Sequence, residues 1–142
     1  MSKPNVLFLC TGNSARSQMA EALLRKHGGG RFEVHSAGLE PSVINPYAVK
    51  VLHEAGIDTS GQYSKSLETY IGRKNFDFLI TVCSNADEKC PVFPGMGNRL
   101  HWSFEDPAAF VGSDEEKTQK FREIRDQIER RIINWLRDLT HP

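Results

Sequence analysis

Short apolar runs alternate with longer segments of helical periodicity along most of the chain, and that alternation restricts it to a parallel sheet with crossover helices. Asn5 to Leu9 is a nearly continuous apolar run, the mark of a strand covered on both faces. A helix is expected from about Ser17 to His27, with Ala20, Leu23, Leu24 and His27 at helical spacing and Gly28, Gly29 and Gly30 to stop it. Phe32 to Ala37 alternates as a second strand ending at Gly38. Asn45 and Pro46 supply an N-cap and a favoured first residue for a helix through Val49, Leu52 and His53 to Gly56. The polar stretch from Asp58 to Lys74 offers one helical turn around Leu67 to Ile71. Phe76 to Val82 reads as a third strand and Leu100 to Phe104 as a fourth.

The last element has the plainest pattern. Ser113 and Glu116 form a capping box, and Phe121, Ile124, Ile128, Ile132, Trp135 and Leu139 then make one apolar stripe. Acidic Asp114 and Glu115 at its start and Arg130, Arg131 and Arg137 further on agree with the helix dipole. No repeat, linker or low-complexity segment divides the 142 residues, so residues 1–142 are expected to form one α/β domain. Right-handed crossovers make that domain a doubly wound sheet, whose ligands sit outside the carboxyl ends of the strands.

Composition excludes several functions. Lys and Arg number 18 and Asp and Glu number 18, so no global field draws the chain to nucleic acid or to an anionic membrane. The longest apolar runs, such as Phe78 to Val82, are too short to span a bilayer. Three cysteines, Cys10, Cys83 and Cys90, are an odd number and argue against a secreted disulfide scaffold. The N-terminus lacks the basic and apolar pattern of a signal peptide, and a reducing, cytoplasmic location is expected.

The loop after the first strand reads Cys10-Thr11-Gly12-Asn13-Ser14-Ala15-Arg16-Ser17. Backbone N–H groups in such a loop can wrap a tetrahedral oxyanion, and the following helix adds its positive end. That makes Thr11, Gly12, Asn13, Ser14, Ala15 and Arg16 the substrate-binding candidates, with Arg16 gripping two oxygens in a planar fork. The same field favours a thiolate, so Cys10 is expected to be a nucleophile with a lowered pKa, aided by a hydrogen bond from Ser17. Gly12 and Asn13 both tolerate the positive φ that a tight loop needs. A core cysteine beside a surface arginine is the alternative reading of Cys10 and Arg16 taken singly.

Together with Ser36-Ala37-Gly38, Asn45-Pro46, Cys83 to Pro91, His101-Trp102 and Asp106-Pro107, the segment Cys10 to Glu21 resembles the low-molecular-weight protein tyrosine phosphatases. Within that fold the resemblance is closer to the arsenate reductases, and it covers essentially the entire chain. It implies a three-layer α/β/α domain with a four-stranded parallel sheet in the order 2-1-3-4.

The resemblance to thioredoxin-coupled arsenate reductases also implies a reaction order. Cys10 attacks arsenate, Asp106 protonates the departing oxygen, Cys83 attacks Cys10 to expel arsenite, and Cys90 attacks Cys83. The resulting Cys83–Cys90 disulfide is reduced by thioredoxin, and no bound cofactor is required. The spacing carries an inference of its own. If residues 83 to 90 are helical, seven steps separate the two Cα atoms by about 10 Å, whereas a disulfide needs less than about 7 Å. The segment is therefore expected to unwind on oxidation, helped by Pro91, Pro94, Gly95 and Gly97.

Some related reductases hold a potassium ion beside the loop with an asparagine, a glutamate, a serine and an aspartate. The matching positions here are Asn13, Glu21, Ser36 and Lys65, and an ammonium group cannot ligate a cation. Lys65 is expected to take the cation's place, as structural support for the loop. No metal is expected elsewhere: Cys83, Cys90 and His101 do not have zinc spacing and supply only three ligands. His27, His35, His53 and His141 show no nucleophile or metal pattern either. A monomer is expected. A tyrosine phosphatase using only Cys10, Arg16 and Asp106 is the competing reading.

Overall fold

The computed structural model describes residues 3–90 and 96–140. Strands β1 (Asn5–Cys10), β2 (Glu33–Gly38), β3 (Phe76–Thr81) and β4 (Met96–His101) form one parallel sheet in the order β2-β1-β3-β4. Helices α1 (Arg16–Gly28), α2 (Pro46–Glu54), α3 (Ser84–Lys89) and α4 (Asp114–Thr140) lie on both sides of it. Central β1 is buried from Val6 to Cys10, which is why its sequence is an unbroken apolar run rather than an alternating one.

Two expectations need correction. The fourth strand begins at Met96 and ends at His101, four residues before the start and three before the end read from the sequence. It is an edge strand whose residues Gly97, Asn98, Arg99 and His101 are exposed, so it carries no apolar run to read. The stripe of α4 continues from Ile132 to Leu136 instead of Leu139: Leu136 is buried and Leu139 is exposed. Trp135 is half-buried and packs edge-on against Phe78 and Trp102, with ring centroids 5.0 and 5.6 Å away. The capping box closes as read: Glu116 N–H donates to Ser113 Oγ at 3.2 Å, and Ser113 N–H to Glu116 Oε1 at 3.0 Å. No helix among the described residues is long and apolar enough to cross a membrane.

The strand register collects the chemistry at one edge. Cys10 pairs with Gly38, and Val82 N–H donates to Leu9 O, so Cys83 leaves β3 beside Cys10. Trp102 N–H donates to Thr81 O, which carries the chain from β4 toward Asp106 over the same edge. Gly38 makes the close approach possible: a Cβ there would lie 2.7 Å from Thr11 O and 2.9 Å from Asn13 N.

Candidate active site

The loop between β1 and α1 is shaped by buried polar side chains. Asn13 takes φ 48°, the left-handed region, and does so fully buried. Gly12 does not use the positive φ expected of it, since Asn13 alone takes that conformation in the loop. Asn13 Oδ1 accepts from Lys65 N–H at 2.8 Å and from Gln18 Nε2 at 3.0 Å, while its Nδ2 donates to Ser17 Oγ at 2.8 Å. Ser17 is thus tied to Asn13, and among the described residues no hydrogen bond joins it to Cys10, contrary to expectation. Gln18 was not singled out by sequence. It is fully buried, donates to Asn13 O and Tyr63 O, and accepts from Gln62 Nε2 at 2.8 Å, so it locks the loop to the segment before Lys65. Gln18 is one of three polar residues, with Ser17 and Glu21, that α1 buries near its start, and that cluster is the signal the sequence offers.

Helix α1 starts with Ala15 at its N-cap and no side-chain cap, which leaves its first N–H groups for a ligand. Beside them is a cavity of about 170 Å³ lined by Cys10, Thr11, Gly12, Ser14, Ala15, Arg16, Asp106 and Ala108. It brings together five of the predicted loop residues, the nucleophile and the acid. A larger cleft, lined by Lys3, Asn5, Phe32, Glu33, Asn75 and Asp77, lies at the opposite end of the strands and contains no nucleophile. Arg16 Nη1 donates to Phe104 O at 2.9 Å, and its Nη2 lies 3.8 Å from Asp106 Oδ2. Asp106 caps the 3-10 turn Pro107–Ala109, accepting from Ala108 N–H at 3.0 Å.

Cys10 and Cys83 are both buried side by side, and each thiol's acidity is set first by the other. Cys83 is the stronger acid, its pKa pulled down to about 5 by the Cys10 hydrogen bond, with further donors from Thr11 and Ala86. Thr11 Oγ1 lies 3.5 Å from Cys83 Sγ, and Ala86 N–H donates to the sulfur at 3.4 Å, making Cys83 the N-cap of α3. Cys10 is pushed up by the same hydrogen bond and by burial, while Arg16 pulls the other way. This departs from the expected lowered pKa of Cys10: the neighbouring Cys83 and burial outweigh the pull of Arg16. Cys90 caps the other end of α3, and burial raises its thiol.

Behind the loop, Lys65 Nζ is 3.6 Å from Glu21 Oε1 and donates to Tyr63 O at 2.8 Å. Ser36 Oγ donates to Glu21 Oε1 at 2.5 Å, and Arg25 pairs with the same carboxylate. Glu21, Ser36 and Lys65 therefore meet, and Asn13 joins them through the Lys65 backbone. Pro91, Pro94, Gly95 and His141 lie outside the described residues, and Gly97 lies in β4.

This cysteine-and-arginine loop at the carboxyl edge of a 2-1-3-4 sheet agrees with a family match over residues 5–142, and the chain belongs to the low molecular weight phosphotyrosine protein phosphatase family. Within it, the chain is 49% identical over 132 residues to an arsenate reductase of Bacillus licheniformis, covering 93% of this chain and 94% of that one. A solved arsenate reductase in its phosphate-binding state superposes with a TM-score of 0.75 at 34% identity, over 95% of this chain and 98% of the other. The thioredoxin-dependent arsenate reductase of Corynebacterium glutamicum matches at TM-score 0.72 and 32% identity, over 97% of this chain and 62% of its own.

Proposed function

We propose that the chain reduces arsenate to arsenite through Cys10, Cys83 and Cys90 and is recycled by thioredoxin. The observation that carries this reading is geometric: the oxyanion-sized cavity is lined by Cys10, and the strand register delivers a second buried cysteine beside it, Cys83, whose sulfur lies 3.5 Å from the loop hydroxyl of Thr11. Hydrolysis of a phosphate ester needs Cys10, Arg16 and Asp106 and leaves the second thiol without a task. Two-electron reduction needs that thiol where it is.

In the proposed cycle arsenate binds to the loop amides and the Arg16 fork. Cys10 passes its proton to Cys83 and attacks arsenic, and the As–O bond breaks as Asp106 protonates the leaving oxygen, which departs as water. Cys83 gives the proton it took from Cys10 to water and, as the thiolate, attacks Cys10 Sγ. The S–S bond forms, the S–As bond breaks, and its electron pair stays on arsenic, which leaves as arsenite. Cys90 then attacks Cys83 and releases the Cys10 thiolate, which regenerates the nucleophile. Thioredoxin, a dithiol carrier, reduces the Cys83–Cys90 disulfide. Helical α3 holds the two cysteines at its two ends, so the last exchange requires it to unwind. The reading places this chemistry in a reducing cytoplasm, in a monomer without a bound cofactor.

The test follows arsenite release with thioredoxin, thioredoxin reductase and NADPH. Cys90→Ser is expected to release one arsenite per chain and stop as a Cys10–Cys83 disulfide, and Cys83→Ser to release none. Sustained turnover by both variants defeats the three-thiol mechanism.

Lys65 in place of a potassium ion belongs to the same proposal. Arsenate reduction is expected to run at equal kcat/KM in potassium and sodium chloride of the same ionic strength. Lys65→Met leaves buried Glu21 with Arg25 and Ser36 alone, and thermal or denaturant unfolding is expected to register a loss of about 3 kcal/mol, the low end for breaking a buried ion pair. Strong, selective activation of the wild-type chain by potassium would contradict this role for Lys65.

A further inference from the structure

Helix α3 has only six residues, and Ala86 is its one buried residue, so apolar packing does little to hold it in place. Polar contacts to the sheet hold it instead. Asp87 Oδ1 accepts from Thr81 Oγ1 at 3.0 Å, lies 3.3 Å from Arg99 Nη2, and is 4.0 Å from His101 Nδ1. His101 Nδ1 is 2.8 Å from Thr81 Oγ1, so a proton on that nitrogen makes Thr81 an acceptor there and directs its own proton to Asp87. Arg99 also donates to Asp87 O, and its Nη1 is 3.5 Å from Cys90 O. One guanidinium on β4 thus holds a carboxylate and two carbonyls of the helix. Asp87 N–H in turn donates to Cys83 O at 3.1 Å, closing the first turn over the cysteine.

We propose that Asp87, with Arg99, Thr81 and His101, is a clasp made only in the dithiol state, and that it sets the reduction potential of the Cys83–Cys90 pair and the rate of its closure. The proposal rests on the reading of Cys83 and Cys90 as a redox pair. A Cys83–Cys90 disulfide cannot span an intact α3, so forming it breaks the turn that carries Asp87 out to its three partners. Whatever the clasp contributes is lost on oxidation, and it therefore favours the dithiol. Asp87 is a positioning residue in this scheme, paired with Thr81, Arg99 and His101, none of which lines the oxyanion cavity.

The decisive experiment equilibrates the protein with reduced and oxidised glutathione in a Cys10→Ser background, where only Cys83 and Cys90 can close: two thiols and glutathione disulfide give the protein disulfide and two glutathione thiols. Asp87→Ala is expected to raise the disulfide-to-dithiol ratio about tenfold, a potential about 30 mV more negative. Asp87→Asn keeps an acceptor for Thr81 but loses the ion pairs, and is expected to shift the ratio in the same direction by less. With Cys10 present, a single turnover quenched by alkylation is expected to show Asp87→Ala converting the Cys10–Cys83 disulfide to Cys83–Cys90 faster than wild type. The rate of arsenite release and the KM for arsenate are expected to stay unchanged, a split that general loosening of the fold would not produce. An unaltered or less negative potential in both variants overturns the clasp. If wild-type chain releases no arsenite while the glutathione equilibrium shifts as described, the clasp stands and the arsenate reading fails.

Discussion

Replacing Arg16 with lysine is expected to lower kcat/KM for arsenate by ~10²- to 10³-fold, the scale of losing a preorganised oxyanion donor. The guanidinium is already oriented: Nη1 is fixed on Phe104 O at 2.9 Å, which sets the plane of the fork over the cavity. Charge builds on the arsenate oxygens as Cys10 attacks, and two parallel N–H donors meet it without reorganisation. Lysine retains the charge but is a shorter point donor, unable to hold Phe104 O and two oxygens together. Steady-state kinetics on arsenate, with a melting curve to confirm an intact fold, checks the prediction. A loss below tenfold would mean that the loop amides and the α1 terminus hold the anion by themselves.

Alanine at Gly38 is the second large effect. Its Cβ would meet Thr11 O at 2.7 Å, Asn13 N at 2.9 Å and the Gly12 carbonyl carbon at 3.0 Å, all of them backbone atoms of the oxyanion loop. None is the end of a flexible side chain, so the loop itself must move. Gly38 cannot retreat either, because its N–H is bonded to Lys65 O at 2.8 Å and its strand is in register with Cys10. The expected cost is about 1–3 kcal/mol of stability, the usual range for forcing an atom into a packed site. A loop displaced by a few tenths of an ångström also loses alignment, and kcat/KM is expected to fall at least ~10-fold, approaching the ~10² that a misplacement of 1 Å can cause. Gly30→Ala is the matched control, since a Cβ there meets nothing within 4 Å. Equal stability and activity in the two variants would show that the loop tolerates the intrusion.

The architecture was readable in the chain because its buried strands carry their own signal. Asn5 to Leu9 and Phe76 to Val82 are apolar wherever both faces are covered, and the glycine run after α1 and the Ser113–Glu116 box mark element ends by local chemistry. The edge strand was misplaced for the opposite reason: with its side chains in solvent, Gly97 to Arg99 has no need to be apolar. In the site, Cys10 and Arg16 stand out because a thiol and a guanidinium sit at a fixed spacing after the end of β1, and Asp106 through the resemblance of Asp106-Pro107 to the family pattern. Gln18 could not, since its role depends on Asn13, Tyr63 and Gln62 arriving from elsewhere. The acidity of the thiols was misjudged for a related reason. A lone cysteine in a positive loop is acidified, whereas here the neighbouring Cys83 and burial push the Cys10 thiol up against the pull of Arg16.

Cys83 accepts the Ala86 N–H as the cap of α3 and is also the second nucleophile in the proposed cycle. Once bonded to Cys10, its sulfur is a disulfide sulfur and a poor acceptor, and the Ala86 N–H at the start of the helix loses its cap. Consumption of the second thiol thus loosens the scaffold that keeps the third at a distance. In the proposed cycle Cys90 is thus withheld while the substrate is still attached and released when the first disulfide exists, so the order of the three sulfurs acts as a fuse burning in one direction.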